Sequence, residues 1–236
     1  TYNAITPALL ERLNESLRTA IEDEDVYAIV LTGAGEGFCS GVDTAEVGGW
    51  EDLSREEYAG FLRTYQHCVR QLHASAVPSI AAIDGPAVGG GCGLALGCNL
   101  RFVSDAGYLR PNFTRLGIVP VDGTAWLLGR EIGRSRARQY LLPGDDLDAD
   151  MLVDLGLAVE CVEDPRDAAQ ALAARLVDRP ARAVRRTNQL IGFDGDLETY
   201  FTQGIEHQWA CLGDTEHAEA VAAMRDGRDP EYDRPR

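Results

Sequence analysis

The chain reads as an α/β protein built on parallel strands, and three observations predict this. Short, predominantly apolar runs at residues 26–33 (VYAIVLTG) and 79–84 (SIAAID) read as strands covered on both faces. Segments with helical spacing alternate with them, the order expected of strands joined by helical crossovers. Residues 179–225 hold helix-compatible segments only. With 236 residues, 45% of them apolar, the chain is long enough to bury one sizeable core.

The elements follow in order. Over residues 6–23, Leu9, Leu10, Leu13, Leu17 and Ile21 recur at helical spacing, and Thr6 and Pro7 suit the N-cap and first turn. The run 26–33 ends on glycine and reads as a buried strand; 54–73 reads as a second helix and 79–84 as a second buried strand. Residues 100–103 are strand-like, 125–128 and 134–142 helical, 158–162 strand-like and 165–177 helical. The polar tail 225–236 (RDGRDPEYDRPR) is expected to be loose. There is no repeat of fixed period and no low-complexity linker, so one domain is expected: a core over residues 1–178 with a helical region over 179–236.

Composition excludes some function classes. All 22 basic residues are arginine, against 38 Asp and Glu, for a formal charge of −16. Such a surface repels nucleic acid and anionic lipid, so neither nucleic acid nor membrane is expected as a partner, and the lysine-free acidity points to a halophilic or high-GC source. The six cysteines form no C-x-x-C pair and several sit among apolar residues, which fits a reduced cytoplasm. No secretory signal is visible at Thr1, and the most apolar stretch, 74–98, is interrupted by Pro78, Asp84 and Pro86. A cytoplasmic location is expected.

The chemistry is expected at two glycine-containing turns. In PAVGGGCGLALGC, residues 86–98, a helix begins on Gly89, Gly90 and Gly91, although glycine disfavours helix. A helix N-terminus leaves N–H groups unpaired, and the lack of β-carbons lets an anionic atom come close. The other turn, first in chain order, is GFCSGVD at 37–43 and follows the first strand. Together the two turns could present N–H groups to one oxygen atom, an oxyanion hole. The same glycines also suit tight helix–strand packing, and spacing alone does not choose between these uses.

These segments, LTGAGEGFCSGVDTAEV, IAAIDGPAVGGGCGLALGC, LGIVP and IGRSRARQYLL with the following GDDLDADMLVDLGLAVECV, resemble in order the motifs of the crotonase, or enoyl-CoA hydratase/isomerase, superfamily. The resemblance implies a β/β/α spiral core with a helical C-terminal trimerisation region. It also implies a homotrimer, or a hexamer of paired trimers, acting on an acyl-coenzyme A thioester. No cofactor would be required beyond the coenzyme A of the substrate, and no metal. By this resemblance the oxyanion N–H groups belong to Val42 and Gly90, with Cys39, Ser40, Asp43, Gly89 and Gly91 around them. The family also has a strand pair before its N-A-x-T segment, which stands here at Asn3 to Thr6.

The departures bear on the reaction. Hydratases of the family resemble one another in two glutamates that work on one water. The first position is Gly93 here; the second, within RPNFTRLG, is Asn112 or Phe113. Hydration needs one group to deprotonate water and one to protonate carbon, so proton transfer on an enoyl thioester, such as double-bond isomerisation, is favoured over hydration, thioester hydrolysis or decarboxylation. A catalytically silent acyl-CoA binder is the alternative from another class. Asp122, in GIVPVDGTAW, is the candidate acid or base, although the neighbouring Val121 is the position that aligns with the acidic residue of related isomerases and dehalogenases. Asp122 could instead cap the helix near Thr124. Glu46 is a further carboxylate near the first turn, Trp50 and Tyr65 are candidate acyl-pocket aromatics, and steric fit accounts for Cys39 better than nucleophilic chemistry does. No P-loop, zinc spacing or G-x-S-x-G elbow occurs, and GAGEGF is a poor dinucleotide fingerprint.

Overall fold

The computed structural model describes residues 2–43 and 49–234. Its first helix, α1 (Pro7–Glu22), starts where Thr6 Oγ1 accepts the Leu9 N–H, so the capping read from sequence holds. The first strand, β1 (Ile29–Thr32), is shorter than expected and only half buried. Residues 26–28 lie outside it because the Val26 N–H closes a turn onto the Asp23 carbonyl, and β1 is an edge strand with one partner. Helix α2 (Arg55–Ala74) opens with a capping box in which Ser54 and Glu57 bond each other's backbone N–H groups.

Strand β2 (Ser79–Ile83) is buried on both faces. The chain turns at Gly85 into β3 (Pro86–Val88), then enters α3 (Gly90–Gly97), β4 (Leu100–Val103), β5 (Tyr108–Arg110) and a 3-10 turn, Thr114–Leu116. Helices α4 (Thr124–Glu131), α5 (Arg134–Leu141) and α6 (Ala149–Asp154) precede the two-residue strand β6 (Glu160–Cys161) and α7 (Pro165–Val177). The last helices described are α8 (Ala181–Ile191), α9 (Leu197–Leu212) and α10 (Thr215–Asp226). Strands β3 and β5 and helix α6 were not foreseen, and β6 is far shorter than the 158–162 run, since only its middle pairs with β4.

The strands form two parallel layers. One sheet has the order β1-β2-β4-β6, the other pairs β3 with β5. Each turn of the chain contributes first to the large sheet and then to the second layer: β2 leads to β3, β4 to β5, and β1 to the segment 38–42, which joins β3 through a Cys39–Ala87 bridge. Alternation along β2 divides the core. Ala81 and Ile83 face the main cluster with α2 and α3, while Ile80 and Ala82 face Phe102 and Ala169 of α7.

Two features depart from what the sequence suggests. The tail is held as far as Arg234, whose guanidinium lies over the rings of Tyr27 and Tyr232, donates to the Val177 carbonyl at 2.8 Å and pairs with Glu216. Within an otherwise apolar strand, Arg101 is 4% exposed. It donates to the carbonyls of Leu157 and Cys98, the latter at 2.6 Å, and pairs with Glu131 at 2.6 Å. It therefore satisfies carbonyls that the C-terminal end of α3 leaves open. Arg101→Ala is expected to lower unfolding free energy by about 3–5 kcal/mol, because the acceptors and Glu131 lose their cation; urea denaturation midpoints measure it.

Candidate active site

The pairing of the two turns follows from register. Segment 38–42 and strand β3 run parallel, with Cys39 opposite Ala87 and the Val88 N–H bonded to the Cys39 carbonyl at 2.8 Å. Val42 and Gly90 each lie three residues further on, so the register carries both to the same level. On its other side the turn pairs with Ile5: the Ile5 N–H donates to the Gly41 carbonyl at 2.8 Å and the Asp43 N–H to the Ile5 carbonyl at 3.0 Å. Alternation then points the Val42 N–H away from Ile5, and it has no acceptor among the described residues. The Gly90 N–H, at the start of α3, likewise has none.

The glycines make the approach possible. Gly41 has φ +85°, and a β-carbon there would stand 2.7 Å from the Val88 carbonyl oxygen and 3.6 Å from the Gly90 nitrogen. Gly89 has φ +51°, outside the usual range for a residue with a side chain. Gly91 packs directly on the Cys39 carbonyl. Cys39 and Gly91 thus stand behind the wall of the site rather than in it. Burial pushes the Cys39 thiol up to about 11, which removes it as a nucleophile at neutral pH.

A cavity of about 450 Å³ opens in front of the two N–H groups. Ser40, Val42, Gly89, Gly90, Asn112, Phe113, Val121 and Asp122 line it, so most of the positions singled out from sequence come together. Asp43 follows Val42 and is half buried; Glu46 lies outside the described residues. Trp50 and Tyr65 also line the cavity, with Trp50 edge-on to Tyr58, ring centroids 5.3 Å apart. Sequence reasoning missed Tyr58, Phe61 and Leu62. Their signal was present, since residues 58, 61, 62 and 65 follow the i, i+3, i+4, i+7 spacing of one helix face.

Asp122 is 4% exposed, whereas Val121 is 38% exposed. The N-cap of α4 is Gly123, and Asp122, one residue before it, braces the first turn: its Oδ1 accepts the Thr124 N–H at 3.0 Å and its Oδ2 the Thr124 hydroxyl at 2.9 Å. The same carboxyl lines the cavity, so bracing the helix start and facing the site are not exclusive. Burial raises its pKa to about 6; the Thr124 bonds and the Tyr65 hydroxyl oppose the rise without cancelling it. The carboxyl also occupies space beside Gly93, where an added β-carbon would stand 2.7 Å from Asp122 Oδ2 and 2.5 Å from the Tyr65 hydroxyl oxygen.

The sequence profile of the enoyl-CoA hydratase/isomerase family matches residues 1–232. The chain belongs to this family. It is 34% identical to the probable enoyl-CoA hydratase echA12 of Mycobacterium bovis, over 98% of this chain and 85% of that one. It is 30% identical to the 1,2-epoxyphenylacetyl-CoA isomerase of Escherichia coli, over 98% and 90% of the two chains. The crystal structure of an enoyl-CoA hydratase from Bacillus anthracis matches it with a TM-score of 0.92 at 28% identity, covering 98% of this chain and 90% of that one. The fold is that of the crotonases, and this enoyl-CoA hydratase/isomerase family enzyme has relatives named for both reactions. No described helix is long and apolar enough to cross a membrane.

In this family enzyme Gly41 is the tightest test of the turn. Gly41→Ala is expected to cost about 2 kcal/mol of stability through the positive φ and the Val88 contact, and to reduce kcat/KM at least about tenfold by displacing Val42. Thermal denaturation and steady-state kinetics on one preparation measure both.

Proposed function

We propose that this enzyme moves a proton along an enoyl-CoA, shifting a double bond, with Asp122 as the one group that takes the proton and returns it. The carrying observation is the carboxyl of Asp122, the one carboxylate among the described cavity residues, buried beside two unpaired N–H groups. The thioester oxygen lies between the N–H groups of Val42 and Gly90. Asp122 removes a proton from the α or γ carbon, the electron pair moves into the thioester, and the oxyanion is held by both donors. The resulting acid protonates the other end of the allylic system. Every atom is accounted for with no cofactor beyond the coenzyme A that the substrate carries.

Hydration asks for two acid–base groups on one water. Gly93 and the Asn112–Phe113 pair supply neither carboxylate of the family's hydratases, and the apolar cavity wall favours a carbon acid over bound water. Ser40, Gly89, Asn112, Phe113 and Val121 shape the acyl site in this reading, and Trp50, Tyr58 and Phe61 make it suited to an apolar acyl group.

Residues 1–178 form the catalytic core in this proposal and 179–236 the region through which copies assemble as a homotrimer. The support is the exposed stripe Leu197, Phe201, Ile205 and Trp209, spaced four residues apart along α9, with Trp209 74% exposed. Trp209→Glu is expected to convert the assembly to monomer, measured by light scattering after gel filtration; a wild-type monomer overturns the trimer.

The Asp122 carboxyl titrates near 6 in the folded protein, against an ordinary 3.8. The folded state therefore holds a proton that the unfolded chain has released, so this group's stabilising contribution is full below about pH 4 and is lost as pH rises through about 6. Asp122→Asn is expected to raise stability by about 2–3 kcal/mol at pH 8, with the gain vanishing near pH 4. The same variant should abolish deuterium uptake from D2O into 2-enoyl and 3-enoyl thioesters, whereas the wild type shows uptake with an acid limb near pH 6. Turnover unchanged in Asp122→Asn overturns the base, and thioester binding with no exchange in the wild type points to a silent binder.

A further inference from the structure

We propose that Tyr65 is a positioning residue that shares its single hydroxyl proton between the Gly90 carbonyl and the Asp122 carboxyl, in the space left by the absent side chain of Gly93. The inference rests on Asp122 as the base. Tyr65 is 3% exposed, reaches in from α2, and donates to the Gly90 carbonyl within the first turn of α3. A β-carbon built on Gly93 would collide with the Tyr65 hydroxyl oxygen at 2.5 Å and Asp122 Oδ2 at 2.7 Å, so both oxygens face the same vacated volume. The Tyr65 hydroxyl favours the ionised form of Asp122 by hydrogen bonding.

A tyrosine has one proton to give and a lone pair to receive with. When Asp122 is protonated, its O–H can donate to the Tyr65 oxygen while the Tyr65 O–H remains on the Gly90 carbonyl, the bond present in the structure. When Asp122 is ionised, the two oxygens would repel, and rotation of the Tyr65 O–H toward the carboxylate removes that repulsion. One side chain thus satisfies both protonation states of a group that must take up and return a proton, with no heavy-atom movement. A side chain at position 93 would separate the two oxygens.

The titratable groups around the Tyr65 hydroxyl are Asp122 and three thiols, Cys92 on α3, Cys39 in the first turn and Cys68 on α2, while Arg70 and His73 of α2 line a second cavity with Asp122 on its outer side. Burial holds all three thiols protonated at neutral pH, with Cys39 pushed up to about 11 and Cys68 to about 12. Burial keeps Tyr65 itself protonated as well. Among the groups around the Tyr65 hydroxyl, Asp122 is therefore the one that changes charge between about pH 4 and 8, and burial with the nearby Arg130 lowers the pKa of His73 on the outer side, so the carbon-13 signal of Asp122 itself is the one followed.

Two variants test the sharing. Tyr65→Phe keeps the ring and removes the hydroxyl; Gly93→Ala keeps the hydroxyl and fills the space, on a helix position where alanine is favoured over glycine. The Asp122 carboxyl is titrated by carbon-13 NMR without substrate, and kcat and KM are followed against pH. In both variants the Asp122 midpoint is expected to rise by on the order of one pH unit, with the acid limb of kcat moving by the same amount. At pH 6 kcat falls several-fold while KM changes little. An Asp122 midpoint unmoved in Tyr65→Phe, or in Gly93→Ala should the first variant fail to fold, overturns the proposal and leaves Tyr65 a packing residue. Failure of Asp122 as base shows separately, as undiminished turnover in Asp122→Asn, and the substrate-free titration still reads the Tyr65 contact.

Discussion

The site depends on one parallel register, that of Cys39 against Ala87. Each turn of the chain lays a few residues in the large sheet and the next few in a second layer, and in that layer neighbouring turns run alongside each other in the same direction. Parallel neighbours advance together, so residues an equal distance beyond a paired position emerge side by side. Val42 and Gly90 share a cavity wall for this reason, although forty-eight positions separate them in sequence. The backbone approach needs glycine at Gly41, Gly89 and Gly91, since a side chain at each would either require a disfavoured backbone conformation or meet a neighbouring segment.

The second determinant is an absence. Gly93 carries no side chain, and the volume is taken by Asp122 from the start of α4 and by Tyr65 from α2. Removing a glutamate from an apolar wall would leave either a void or a reorganised acid–base group. Here the space is filled by a carboxyl with a raised pKa and a hydroxyl that bonds the Gly90 carbonyl in the first turn of α3. The departure from the hydratase pattern is therefore a rearrangement that keeps one titratable group in place, which is the basis for favouring proton transfer within the substrate over addition of water.

The surroundings hold this arrangement still. Arg101 closes the far end of α3 by bonding its open carbonyls, and Asn3 clasps the loop before the first turn through the carbonyls of Ala34, Gly37 and Phe38. Both ends of this cavity wall are thus tied by side chains that donate to backbone carbonyls, and each is buried or half buried. Preorganisation of that kind lets hydrogen-bond donors act on a developing charge without first reorienting.

The sequence by itself determined the helices α1, α2 and α7, the strands β2 and β4, and the two glycine turns, because capping, periodicity and apolar runs act between residues close in the chain. Its ordered motifs also carried the family. The short strands β3 and β5 were not legible: three-residue segments carry no periodicity, and they exist because each lies against the other. Arg101 and Arg234 looked like ordinary strand and tail residues, since their burial depends on carbonyls and rings supplied from distant segments. Between Val121 and Asp122 the sequence left the choice open. Both line the cavity, and tertiary structure decided which of them is buried: packing at the start of α4 encloses the Asp122 carboxyl beside Tyr65 and leaves Val121 more exposed.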